Sequence, residues 1–195
     1  MRASLANGPR AVKTRAVGRY VAWKDLDEPQ LGGQKEVAMK VAELGDALGT
    51  EKRAIDAILR RLSGSQYEMP VRGTWRVKDV LGHIAAYADA ERRALASGVG
   101  RGREEPVFFE QIQAWNEEQY ERRRTWRPQR IVAEIEENTA RYLSLVKSLH
   151  EEDLIKQIRF PWNEQGTVHE MVMESLKHQR EHRQELAAAL GLPVS

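Results

Sequence analysis

The residues best able to do chemistry are histidines, five in a chain of 195 residues that contains no cysteine. His178 and His182 stand four apart in a segment whose apolar residues follow a helical period. Val168, Met171, Val172, Leu186 and Leu190 form its stripe, while Glu170, Glu174, Lys177, Glu181 and Gln184 take the exposed face. His182 falls inside the stripe and His178 lies one turn earlier at its edge. Residues four apart on a helix have Cβ atoms about 6 Å from each other, so both rings can reach one metal ion. A polar ring on a buried face must find a partner, which makes such a pair hard to explain by packing alone.

His83 lies beside Val80, Ile84 and Tyr87 on another helical segment. Two readings are open for it. Its ring can enter the space between helices and supply a third ligand, or it can sit at the helix edge bonded to a backbone carbonyl. Three imidazoles from two helices would leave coordination positions open, which is the pattern of catalytic sites rather than closed structural ones. His150, beside Glu151-Glu152-Asp153, reads as a solvated helix end, and His169 as a first-turn residue off the His178–His182 face. The expected metal set is therefore His83, His178 and His182. Zinc and nickel suit such a donor set best, with iron and cobalt next.

The elements that must position these residues are helices. Val41, Leu44, Leu48, Ile55, Ile58, Leu59 and Leu62 mark a first helix, with a break considered at Gly49-Thr50. Thr74 is the expected N-cap of a second helix running to about Ser97. A glycine- and charge-rich break, Gly98 to Pro106, precedes a shorter helix around Phe108–Arg124. Pro128 opens a third long helix, and Thr167 caps the last, which ends near Gly191 and Pro193. No stretch alternates with period two for long enough to predict a strand. Four long amphipathic helices predict an all-α bundle.

Composition narrows the function. Thirty-one basic residues against 29 acidic give a net charge of +2, no field that would drive nucleic-acid or anionic-membrane binding. No apolar run is long enough to span a bilayer. Without cysteine, any thiol chemistry must import its sulfur, and a cytoplasmic setting is expected. Residues 1–38 hold seven basic and four acidic residues, Pro9, Pro29 and Gly32-Gly33, without helical periodicity. They read as an N-terminal extension, flexible or peripheral, ahead of a bundle over 39–195. A true start at Met39, which opens the first periodic segment, is the other reading.

The segment Gly73-Thr74-Trp75-Arg76-Val77-Lys78-Asp79-Val80-Leu81-Gly82-His83-Ile84 resembles the signature that opens the second helix of the DinB-like superfamily, roughly W-[ST]-V-x-D-[VL]-L-x-H-[IL]. His178-Gln179-Arg180-Glu181-His182 resembles its second signature, H-x-x-x-H on the last helix, and Ser148 to Leu154 its turn after the third helix. Arg76 departs from the pattern, standing where a small hydroxyl residue is usual. The resemblance covers about Met39 to Leu192. It implies a four-helix bundle with a long connection between the second and third helices, so that those two run parallel. It also implies a three-histidine metal site at His83, His178 and His182.

By that resemblance the chain is expected to be a metal-dependent enzyme that transfers a low-molecular-weight thiol to an electrophile or hydrolyses a small substrate. The alternative is a non-catalytic, protective bundle that binds metal or small molecules. The expected partners are a small-molecule substrate, such as that thiol, and a second copy of the chain in a homodimer. His178 to His182 also spells the H-x-x-E-H of inverted-motif zinc proteases. Only 13 residues follow His182, too few for the further acidic ligand, and Glu181 falls on the solvent side. Trp75, Trp115, Trp126 and Trp162 are candidate pocket walls, Trp162 foremost because its loop leads into the last helix.

Overall fold

Apolar residues at helical spacing gather into four long helices, and the computed structural model describes them across residues 39–193. They are α1 (Val41–Leu59), α2 (Val77–Gly98), α4 (Pro128–Lys147) and α5 (Val168–Ala189). A shorter α3 (Ile112–Arg123) lies in the connection between α2 and α4. The extension expected over residues 1–38 lies outside the described residues.

Helix directions follow from contacts at their ends. At the start of α2, Lys78 Nζ donates to the Arg124 carbonyl just ahead of α4, at 3.3 Å. Beyond the end of α2, Arg101 donates to the Ser148 carbonyl that closes α4, at 2.8 Å. Helices α2 and α4 therefore run parallel, as the long connection requires. The Met39 and Val41 N–H groups donate to His169 Nε2 and Glu151 Oε1, which places the start of α1 beside the start of α5. In mid-helix, Glu51 receives Arg180 and Arg183, so α1 and α5 are parallel too.

Several local expectations change. Helix α1 is continuous through Gly49-Thr50, and Gly45 lets the Lys147 side chain of α4 lie where a Cβ would come within 2.8 Å of it. Arg76, not Thr74, is the N-cap of α2: its backbone N–H donates to Asp79 Oδ2 at 2.9 Å, and its guanidinium grips the same carboxylate. Thr74 instead lies in the turn of a small hairpin, β1 (Pro70–Arg72) with β2 (Trp75–Arg76), where Gly73 takes a positive φ of 52°. A second hairpin joins β3 (Gln157–Arg159) to β4 (Gln165–Thr167), with Asn163 at φ 68° in its turn. Strands of two or three residues are too short for a period-two pattern to register. Pro128 does open α4, and the Thr167 hydroxyl does accept the Glu170 N–H that starts α5.

The bundle core divides into two apolar clusters. One gathers Leu44, Leu48, Leu95, Tyr142, Val146, Met171 and Val172; the other gathers Ile55, Leu81, Ile84, Ile131, Ile135 and Leu186. Each fully buried side chain of this kind is worth about 1.5–3 kcal/mol. Between them three helices turn polar at one level: Glu51 on α1, Thr139 on α4, and Gln179, His182 and Arg183 on α5. That layer is where the chemistry collects.

Candidate metal centre

Buried imidazoles need partners, and α2 and α5 make these three each other's. His83 Nε2 lies 3.0 Å from His178 Nε2, which lies 2.9 Å from His182 Nε2. The ring centroids form a near-even triangle of 5.0, 4.8 and 4.5 Å. His83 and His182 are buried, while His178 keeps partial exposure. Among the described residues, no carboxylate joins this cluster.

The protons on these rings serve such a meeting poorly. Glu185 Oε2 accepts from His182 Nδ1 at 2.7 Å. Burial alone would push the Glu185 carboxyl up, but hydrogen bonds from His182 and Arg72 outweigh it and hold its pKa below the usual value. With Nδ1–H committed to a carboxylate, His182 has its Nε2 lone pair to offer. If His178 Nε2–H donates to it, His178 has no lone pair left there for His83. If it does not, two lone pairs face each other. One cation at the centre satisfies all three. Nitrogens ligating a tetrahedral zinc at 2.0–2.1 Å lie about 3.3 Å apart, so small retreats of the rings suffice. The donor set thus fits a divalent ion.

Electrostatics act on two of these rings. Burial holds the His83 pKa well below its ordinary value, reinforced by His182, His178, Arg72 and Arg123. Burial likewise holds His178 well down, with His182 and Arg72 adding to it. Both rings are neutral at physiological pH, the form that binds metal. His83 Nδ1 is buried with no hydrogen-bond partner, which removes the alternative of a carbonyl-bonded helix-edge histidine.

Sequence reasoning missed Glu185. Its spacing of three from His182 places it over the same helix turn, a signal that was there to read. Glu185 in turn holds Arg72 of β1 at 3.1 Å, whose guanidinium lies 5.1 Å from the Trp75 ring. The β1–β2 hairpin thereby packs onto the site.

Aromatic rings wall the cluster. Trp75 meets His83 edge-on at 5.1 Å and stacks on Tyr120 of α3 at 6.3 Å. Tyr87 touches both His83 and His178, at 4.6 and 4.5 Å, and meets Trp115 of α3 at 4.8 Å. Of the four proposed tryptophan walls, Trp75 touches the cluster and Trp115 backs it through Tyr87. Trp126 packs under Arg130, 3.5 Å from ring centroid to guanidinium, and Trp162 packs on Phe160 with its indole N–H on Glu164. Trp162 misses because its loop enters the start of α5 at Val168, whereas His178 and His182 lie about 15 and 21 Å along it at 1.5 Å per residue. His150 is exposed, and His169 accepts from the Met39 N–H, so neither joins. Glu181 is half-buried rather than fully exposed.

A four-helix bundle with parallel α2 and α4 and an imidazole triad between α2 and α5 defines a narrow class. The family profile of the DinB superfamily matches residues 47–186, and the chain belongs to that superfamily. Solved structures of the same fold include the mycothiol-dependent maleylpyruvate isomerase, with a TM-score of 0.64, 14% identity, and coverage of 76% of this chain and 61% of that one. A histidine-to-alanine mutant of the same isomerase gives a TM-score of 0.65 at the same identity and coverage. YfiT from Bacillus subtilis, described as a probable metal-dependent hydrolase with an unusual four-helix bundle topology, gives 0.60 at 19% identity, covering 86% of this chain and 95% of YfiT. The chain thus spans about three-fifths of the isomerase's length. Comparison with curated proteins finds no match. Among the described residues no helix is long and apolar enough to cross a membrane.

Proposed function

We propose that this chain is a metal-dependent enzyme acting on a small molecule, with a divalent ion held by His83, His178 and His182. The observation that carries the reading is the convergence of three Nε2 atoms that their own protons serve poorly. Zinc and nickel are the first candidates. A metal ion there would lower the pKa of a bound water or deprotonate a bound thiol, making a nucleophile at neutral pH.

The chain's own residues do the rest. Glu185 fixes the tautomer and orientation of His182, and Arg72 steadies Glu185. Burial keeps His83 and His178 neutral. Trp75, Tyr87, Trp115 and Tyr120 exclude water from one side.

Thiol transfer is favoured over hydrolysis by one feature. The nearest described carboxylate, Glu185, is already engaged by His182 and Arg72, which leaves no poised general base for a water nucleophile. A thiol needs none once metal-bound, and the chain has no cysteine to compete for the ion. This reading carries a low-molecular-weight thiol as partner and a cytoplasmic setting. The likeness to a mycothiol-dependent isomerase supports it.

The test incubates metal-free, zinc-loaded and nickel-loaded protein with a panel of small thiols and an electrophile such as monobromobimane. Thioether formation that needs metal, stops with chelator and returns on reloading is expected. Turnover by the metal-free protein would overturn the catalytic role. Stoichiometric metal without turnover across the panel would favour the non-catalytic binding bundle.

A further inference from the structure

Asn116 carries a second chemical signal. It is only 3% exposed, yet neither its side-chain oxygen nor its nitrogen has a hydrogen-bond partner. Burying an amide with nothing to bond costs about 1–3 kcal/mol, so a position that holds one calls for a partner from outside the chain.

Its place in the fold says where that partner lies. Asn116, Gln119 and Arg123 form the buried face of α3. Arg123 is locked by Gln119 and by paired bonds to Glu134, at 2.7 and 2.8 Å. Its side chain crosses Gly82, where a Cβ would come within 3.0 Å of it, so α3 is pressed onto the turn of α2 that presents His83. On one side of Asn116, Trp115 meets Tyr87; one turn along, Tyr120 stacks on Trp75. Tyr87 and Trp75 both touch His83. The unpaired amide is therefore bracketed by the two aromatic contacts that wall the histidine cluster.

We propose that Asn116 is a substrate-recognition residue, binding a small molecule through a carboxamide or lactam edge while the aromatic side chains pack its planar body. An asparagine offers one acceptor and two donors side by side, the complement of a group that presents N–H and C=O on one edge. The inference takes the walled side of the cluster as the substrate face, and so rests on the reading above.

The test uses benzamide as probe and N,N-dimethylbenzamide, which cannot donate, as control. Binding is followed by ligand-observed NMR on full-length wild type, Asn116→Ala and the bulkier Asn116→Leu, each with and without zinc. Wild type should bind benzamide about tenfold more tightly than either variant, the worth of one well-made hydrogen bond. The control, which keeps its carbonyl acceptor but has no N–H to give, should show a smaller difference between wild type and the variants. Neither variant should melt more than about 2 °C below wild type, because no internal hydrogen bond is lost and an unpaired buried amide is removed. Equal benzamide binding by wild type and Asn116→Leu, or none by wild type, would overturn the inference. So would a large fall in melting temperature in both variants, the mark of a structural asparagine. Zinc affinity is titrated on the same samples. Its absence would overturn the metal reading alone, leaving the benzamide comparison to decide this one.

Discussion

Replacing Glu91 by glutamine should change how the stability of this protein depends on pH. Glu91 lies two turns beyond His83 on α2, 1% exposed, with the Ser175 hydroxyl donating to Oε2 at 2.6 Å. Burial raises its pKa from 4.5 to about 8, against the opposing hydrogen bond. The native carboxyl therefore stays protonated up to about pH 8, whereas the unfolded one ionises near its ordinary value. The unfolded chain binds fewer protons throughout that window. The contribution of Glu91 is whole below about pH 4.5, falls as pH rises and is lost above about pH 8. At a little over 1 kcal/mol per pH unit, the gap between wild type and Glu91→Gln should move by about 3 kcal/mol between pH 5.5 and pH 8, in favour of the variant. Urea unfolding with chelator present, at a series of pH values, measures it. His83 and His178 also titrate on unfolding, but both proteins carry them and their effect cancels in the difference. Parallel profiles for the two proteins would refute the reasoning.

Glu185→Gln removes the carboxylate that orients His182, and zinc affinity should fall about 10–100-fold in a competitive chelator titration; a change within twofold would show that the Nδ1 contact is incidental. Because burial lowers the His83 and His178 pKa values, protons should not compete with metal at those rings until well below pH 6.5, so zinc affinity measured against pH should begin its steep fall lower than free histidines would give. A fall centred at pH 6.5 would contradict the burial argument. Residues 1–38 we propose to be a peripheral extension, so deleting them should shift the melting temperature by no more than about 2 °C and leave metal content unchanged.

The site was legible where chemistry and helical period coincide. His178 and His182 announce themselves because a spacing of four puts two polar rings on a face that Val172 and Leu186 mark as buried. The helices were legible for the same reason, and Pro128 and Thr167 begin theirs as their types predict. Thr74 misled because a threonine before an apolar run is a good cap, yet the Gly73 turn consumes it and Asp79 caps through the Arg76 backbone instead. The buried Glu51–Arg183 pair, at 2.6 Å, joins residues far apart in sequence, and nothing local marks either as interior. Asn116 was hidden in a helix whose composition is mostly polar. Its burial depends on Arg123 drawing α3 onto Gly82, a contact between distant segments.

The central claim is that three histidines hold one divalent ion, and elemental analysis of protein purified without an affinity tag tests it most directly. One equivalent of a divalent transition metal per chain is expected. That equivalent should be lost on changing His83, His178 or His182 singly to alanine and retained in His150→Ala and His169→Ala. Wild-type protein that takes up no metal even when supplied with zinc or nickel, or a His83→Ala variant that keeps its full equivalent with unchanged affinity, would contradict it.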